Sequence, residues 1–343
     1  MNTKQTVVDA DRVVLAHGGG GALTDRLIRD VFLPELENDA LSALTDSAVL
    51  PWAAGDVVFT TDSYVVTPLE FPGGDIGRIA VAGTVNDLAV MGAMPVALSL
   101  GLIIEEGLPI ETLRRILSSI GETCREAGVH VVTGDTKVVE HRGDAGLFIN
   151  TAGVGYLRPG LDLSLSRVEP GDAVLVTGTI ADHGLAIMSV RNDIRFETEL
   201  RSDAAPLNGL LAGLFSSGSD VKFIRDATRG GIAGVLADIS EHGNLTVEVD
   251  ECELPISATA RHAAEMLGLD PLTVANEGKC VCVVAGRDAE KAMRALRSHP
   301  LGQRAAIIGR VTDARPALVE LNTSAGGRRI VQRPYGEELP RIC

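Results

Sequence analysis

Short apolar, β-branched runs alternate with stretches of helical periodicity along most of this chain, and any fold for it must bury both kinds of face in shared cores. Residues 57–66 read as a strand, and 75–91 space their apolar positions like a packed helix that ends near Gly92. Residues 95–104 predict another strand. The periodicity of 110–127 predicts a helix closed by Gly128, and strand-like runs follow at 129–133 and 147–157. A break comes at Arg158-Pro159-Gly160. The turn chemistry of Val168-Glu169-Pro170-Gly171-Asp172 then precedes an apolar strand at 173–177, which places a domain boundary here. Further on, 183–190 and 231–241 predict helices, and 245–249 and 280–285 predict strands. After Val319 the periodicity fades through Ser324-Ala325-Gly326-Gly327. The final segment, with Pro334, Gly336 and Pro340, has no room for a helix or a central strand.

The expected architecture is α/β with mixed sheets. A first domain covers 1–158, a second α/β domain 159–330, and a flexible tail 331–343. A strict βαβ rhythm is missing, so an α+β or mixed-sheet arrangement fits as well as a doubly wound one. A chain of 343 residues exceeds the size at which one core stops growing, in keeping with two domains. Aromatics make up only 3% against 45% hydrophobic residues, so the cores must be built from Ala, Val, Ile and Leu. Such cores suit sheets covered by helices.

The formal charge of -15 argues against a general nucleic-acid binder, which needs a basic surface. No apolar run approaches the roughly 20 residues that cross a bilayer, and Met-Asn-Thr-Lys-Gln lacks the apolar core of a signal peptide. A cytosolic protein without a membrane partner is expected. Five scattered cysteines, Cys124, Cys252, Cys280, Cys282 and Cys343, do not make a disulfide framework and read as free thiols.

Three acidic motifs fall at strand ends or turns of the first domain: Thr60-Thr61-Asp62, Thr84-Val85-Asn86-Asp87-Leu88 and Thr133-Gly134-Asp135-Thr136-Lys137. Asp226, in Arg225-Asp226-Ala227-Thr228-Arg229-Gly230-Gly231, offers a fourth carboxylate from the second domain. Mg²⁺ takes a few hard oxygens and keeps the rest of its shell for water and phosphate, so dispersed aspartates suit ATP chemistry. The alternative for each Asp is a helix cap or a turn. The run His17-Gly18-Gly19-Gly20-Gly21, with Gly19 and Gly20 at its centre, presents backbone that can approach phosphates closely, or else is a linker. No P-loop pattern is present. Lys137 shares a strand face with Asp135 if the strand continues through them, which sets a cation beside a metal ligand. Glu277, in Asn276-Glu277-Gly278-Lys279, is a candidate general base if partly buried. Cys280 and Cys282 lack the further ligands of a zinc site and read as core thiols, as does Cys124.

Cys343 has no core to belong to. It ends a proline-punctuated segment of about a dozen residues that spans roughly 40 Å when extended at about 3.3 Å each. Its thiol, with an ordinary pKa of about 8.5, is disfavoured as thiolate by the α-carboxylate and favoured by Arg341, so efficient reaction needs help from a site that the tail enters.

Taken jointly, Thr61-Asp62, the run from Gly83 to Ala93, Gly134-Asp135-Thr136-Lys137, Asp226-Ala227-Thr228-Arg229-Gly230-Gly231, Asn276-Glu277-Gly278 and Pro340-Arg341-Ile342-Cys343 resemble the HypE family of carbamoyl dehydratases, which act in [NiFe] hydrogenase maturation. The likeness runs nearly end to end. The internal motifs are those of the superfamily that also holds aminoimidazole ribonucleotide (AIR) synthetase and selenophosphate synthetase, and the Pro-Arg-Ile-Cys ending singles out HypE. The resemblance implies a two-domain PurM-like fold and a homodimer formed through the first domains, with ATP and Mg²⁺ near the dimer interface. It makes Asp62, Asp87 and Asp135, and less firmly Asp226, metal or phosphate ligands. It also implies that the carbamoyltransferase HypF loads a carbamoyl group onto Cys343, that ATP-dependent dehydration turns this into a thiocyanate, and that the HypC–HypD complex accepts the cyano group.

Two rivals stand beside this. Selenophosphate synthetase or a small-molecule kinase would share the aspartates, but the former carries its reactive residue near the N-terminus, where this chain has no cysteine before Cys124. A nucleotide-sensing scaffold would bind ATP and use the tail only to dock a partner.

Overall fold

The computed structural model describes residues 12–14, 26–36, 38, 56–141, 146–194 and 200–333. A four-stranded sheet in the first half has the order β1 (Val57–Tyr64), β6 (Leu147–Leu157), β4 (Ala93–Glu105), β5 (His130–Val139), with β4 and β5 parallel and the other neighbours antiparallel. Two short strands, β2 (Glu70–Phe71) and β3 (Gly74–Asp75), form a separate ribbon. Helix α1 (Ile76–Val90) is capped by Asp75, whose side chain accepts the Arg78 N–H. Only Arg78 and Asp87 of this helix escape burial. A helix apolar all round belongs inside, and α1 lies between the four-stranded sheet and the second half of the chain. Helix α2 (Ile110–Ala127) instead buries one stripe, Leu113, Ile116, Leu117, Ile120 and Cys124, and ends on Gly128 in a left-handed conformation.

The second half holds a seven-stranded sheet of order β13-β12-β9-β11-β7-β10-β8. Its strands are β7 (Ala173–Val176), β8 (Val221–Asp226), β9 (Thr246–Asp250), β10 (Cys280–Val284), β11 (Ala306–Thr312), β12 (Val319–Asn322) and β13 (Arg328–Val331). Helices α4 (Asn208–Ser216), α5 (Gly231–Gly243) and α7 (Ala289–Arg297) pack on it, whereas α3 (Asp182–Arg191) and α6 (Ala258–Leu267) pack on each other and into the core shared with the first half. The largest apolar core joins the halves, packing Leu98, Ile116 and Ile120 together with Leu185, Ala263 and Val274. Mixed sheets under helices are as expected. No helix among the described residues is long and apolar enough to cross a membrane.

Two expectations need correction. Strand β5 does not stop at 133 but runs on through Asp135 and Lys137, because it lies parallel to β4 along its length. The chain after Val319 is not irregular either: β12 and β13 pair as a hairpin with Val319 opposite Val331. The expected tail boundary at 331 therefore falls on the last residue of a strand. Strand β13 is an edge in which only Val331 is buried, so its alternation is invisible in the sequence.

Candidate active site

The TTD, TVNDL and DATRGG motifs meet the Asn276-Glu277-Gly278 turn in one cavity of about 390 Å³ walled by both halves of the chain. Strand β1 contributes Thr61, Asp62 and Tyr64, and α1 contributes Gly83 and Asp87. Arg225, Asp226, Thr228 and Arg229 come from the end of β8 and the turn after it, with Asp238 from α5, and then Glu277 and Arg333. Gly83 makes this closeness possible. A Cβ there would stand 2.3 Å from the Tyr64 hydroxyl oxygen, so only glycine lets α1 settle on β1. One turn later Asp87 accepts the Thr60 hydroxyl at 2.8 Å. On the far wall, antiparallel pairing sets Asp226 opposite Cys280, so the turn that leads into β10 lifts Glu277 beside Asp226.

The carboxyls of this cavity are hard to ionise together. Burial, then the charge of Asp87, pushes the Asp226 carboxyl up to about 6. Burial, opposed by the Thr60 hydrogen bond, raises Asp87. Glu277 is only 2% exposed, and burial, followed by the charges of Asp226 and Asp203, drives its carboxyl well above the usual range. Its Oε1 has no hydrogen-bond partner among the described residues. Arg229 Nη2 approaches Asp62 at 3.6 Å, whereas Arg225 is engaged by Asp238, which also accepts Arg333 at 2.6 Å. Crowded carboxylates call for a cation, which would lower every one of these pKa values. Among the described residues no three His, Cys, Asp or Glu side chains lie close enough to hold a metal ion by themselves. Hard oxygens dispersed around a polar cavity fit Mg²⁺, which retains waters and phosphate oxygens.

Over residues 44–157 and 169–320 the chain matches the N-terminal and C-terminal domains of the AIR synthase related proteins. A carbamoyl dehydratase HypE from Rhizobium leguminosarum bv. viciae is 47% identical over 333 residues, covering 97% of this chain and 95% of that protein. This chain belongs to the carbamoyl dehydratase HypE family. It is an enzyme of that kind, with the PurM-like fold. A crystal structure of HypE in complex with ATP matches with a TM-score of 0.91 at 43% identity, covering 96% of this chain and 99% of that one. The HypE of a HypE–HypF complex matches with a TM-score of 0.78 at 47% identity, covering 92% and 100%.

Within this chain, four expected site residues, Asp62, Asp87, Asp226 and Glu277, share the cavity. Asp135 and Lys137 do not join them. They lie on β5, three strands and so about 14 Å across the sheet from β1. Their side chains are 75% and 67% exposed and 4.0 Å apart. Gly19, Gly20 and Cys343 lie outside the described residues. Sequence reasoning missed Tyr64, Arg225 and Arg333 as cavity residues, and the two asparagines that hold its walls. Asn276 accepts the Ala181 N–H at 2.8 Å and donates to the Ala227 carbonyl at 3.2 Å, and Asn86 binds three points of the second half. The available signal was an asparagine inside an otherwise apolar helix and another directly before the candidate base.

One consequence for stability follows from Asp226. A folded pKa of about 6 against an ordinary 3.8 means that the ligand-free fold loses stability as pH climbs from about 4 to about 6 and stays lower above that. The penalty is at most about 3 kcal/mol. Asp226→Asn is expected to raise the melting temperature of the ligand-free protein at pH 8, with the gain vanishing near pH 4. A pH series of thermal melts with no gain at pH 8 would refute this.

Proposed function

We propose that this chain uses ATP to dehydrate an S-carbamoyl group on Cys343 to a thiocyanate, and so supplies the cyanide ligand of the iron in [NiFe] hydrogenase. The observation that carries this reading is the buried Glu277 carboxyl, unpartnered at Oε1, facing a cavity that also presents Asp62, Asp87 and Asp226. The HypE structure with ATP supports ATP as the phosphoryl donor, and the HypE–HypF complex supports HypF as the source of the carbamoyl group. The HypC–HypD complex is the proposed acceptor of the cyano group.

The carbamoyl oxygen is a poor leaving group until it receives the γ-phosphoryl of ATP. The C–O bond then breaks as the C≡N bond forms, giving thiocyanate, ADP and phosphate. Of the two N–H protons, one ends on hydrogen phosphate and the other reaches solvent. Glu277 is placed to take the nitrogen proton, and its raised pKa makes it a stronger base than an exposed carboxylate once it has ionised. Asp62, Asp87 and Asp226 would hold Mg²⁺, which when bound supplies neutralisation of the phosphate charge. Arg229, beside Asp62, adds a cation at the same wall.

We also propose a homodimer formed through the face of the four-stranded sheet that no described element covers. Val57, Phe59, Met94 and Ile103 are exposed there, with Phe59 at 70%. Two such sheets facing each other across a two-fold axis parallel to the strands set β5 of one copy over β1 of the other. Asp135 and Lys137 of the second copy would then complete the cavity at Thr61 and Asp62, with Lys137 stabilising the transferring phosphoryl group. Phe59→Lys is expected to weaken association roughly 10- to 100-fold by removing an aromatic anchor and adding a charge. Sedimentation showing an undiminished dimer would defeat this face as the interface.

The reaction itself is tested by intact mass. After incubation with HypF, carbamoyl phosphate and ATP, Cys343 is expected to carry first a carbamoyl and then a cyano adduct. An unmodified Cys343 would leave only a scaffold that binds nucleotide.

A further inference from the structure

Glu277 reaches the cavity with Oε1 unpartnered, yet its main chain is held from two sides. Asn86 of α1 donates to the Glu277 carbonyl at 3.3 Å and to the Ala205 carbonyl at 3.1 Å, and accepts the Leu207 N–H at 2.7 Å. From behind the cavity, Asp203 takes the Glu277 N–H on Oδ1 at 3.0 Å and the Lys279 ammonium on Oδ2 at 3.1 Å. The side chains of Lys279 and Asp203 are 8% and 4% exposed. Gly278, between the two anchored residues, lies so close that a Cβ there would come within 1.9 Å of the Asp203 carbonyl oxygen. The Lys279 stem is pressed over Gly178, where a Cβ would stand 2.7 Å from Cε. Burying a charge pair is costly, and this one is retained directly behind the turn that carries Glu277.

We propose that Asp203, paired with Lys279, is the positioning residue for Glu277. Its two oxygens clamp the residues on either side of Gly278, which fixes the Glu277 Cα and hence the direction in which the carboxyl projects. Asp203 is not among the residues lining the cavity, so it acts through Glu277 and not on the nucleotide. A carboxylate accepting a backbone N–H makes a charge-assisted bond, stronger than a neutral one. In Asp203→Asn an oxygen remains for that N–H, but the Lys279 ammonium loses its counter-charge and the turn relaxes. A displacement of about 1 Å at a catalytic group costs roughly 100-fold in rate.

The inference rests on Glu277 being the base, so the test is a double-mutant cycle. Carbamoyl-loaded protein freed of nucleotide is mixed with ATP, and the single-turnover rate of cyano formation is read by mass for the unmodified chain, Asp203→Asn, Glu277→Gln and the double variant. Asp203→Asn is expected to slow the step about 10- to 100-fold while the ATP Kd stays within about twofold, and to cost nothing further in the Glu277→Gln background. An equal loss in both backgrounds, or no loss in the single variant, overturns the positioning role while leaving the base intact. A wild-type rate for Glu277→Gln overturns the base assignment and the positioning role with it. Should Asp203→Asn fold poorly, Asp203→Leu with Lys279→Met removes both charges without orphaning either, and the same pattern is expected.

Discussion

Replacing Cys343 by Ala is expected to abolish cyano-group formation altogether while leaving the ATP Kd within about twofold of the unmodified chain, since no binding group of the cavity is touched. The loss is total because the sulfur is the point of covalent attachment, and nothing else in the described chain can take its place. None of the other four cysteines lines the cavity. Cys124, Cys280 and Cys282 are buried, and burial pushes the Cys124 thiol up to about 12, which removes its thiolate at neutral pH. Cys252 is exposed but sits on the Glu251–Glu253 turn among acidic neighbours. The ten residues beyond Arg333 span at most about 33 Å, enough to return to a cavity that Arg333 itself lines. Intact-mass analysis after the complete reaction, with ATP binding followed by calorimetry, checks both halves of the expectation. Cyanation of the Cys343→Ala chain would remove the tether from the mechanism.

The second large effect concerns the base. Glu277→Gln keeps the shape of the side chain and its burial but cannot take a proton, and the single-turnover rate is expected to fall by about 10²- to 10⁴-fold. The pH dependence gives a sharper signature. Burial and the neighbouring carboxylates hold the Glu277 carboxyl protonated to higher pH than usual, so its basic form grows as pH rises. At ATP well below saturation, where the nucleotide-free protein sets the titration, the rate for the unmodified chain should therefore climb through a window above the ordinary carboxylate range of about 4 and then level off, whereas the residual rate of Glu277→Gln should lack that climb. Identical profiles for the two proteins would assign the proton transfer elsewhere.

Much of this site was legible because its residues announce themselves locally. Asp62 is the acid in a β-branched run, Asp87 the acid in an apolar helix, and Asp226 precedes a Thr-Arg-Gly-Gly turn, so each carboxylate stands out from its neighbours. Asp62 and Asp87 nevertheless lie inside β1 and α1, not at a strand end or turn as expected, because both elements run on past them. Glu277 was legible as a turn residue ahead of an apolar strand, but its burial was not, since that depends on Asp203, Asn86 and β8 closing around it. The asparagines show the same limit from the other side. Asn86 bonds to Ala205, Leu207 and Glu277, partners more than a hundred residues away, and no local pattern encodes such pairings. Strand β13 was misread because an edge strand with one buried residue has no alternation to see. Helix α7, by contrast, buries Ala289, Ala292, Met293 and Leu296 at helical spacing and was there to be found.

By itself the sequence determined the alternation of strands and helices, the largely apolar character of α1 that demands burial on most sides, and the inventory of carboxylates and thiols. These are properties of neighbours along the chain, governed by periods of 3.6 and 2 residues. Only the tertiary structure decided which carboxylates face one another, that Asp135 and Lys137 stand across the sheet from Asp62, and which residues of that sheet are exposed. The reason is physical: ionisation, proximity and exposure depend on distances through space, and those are set by packing between segments that the chain order keeps far apart.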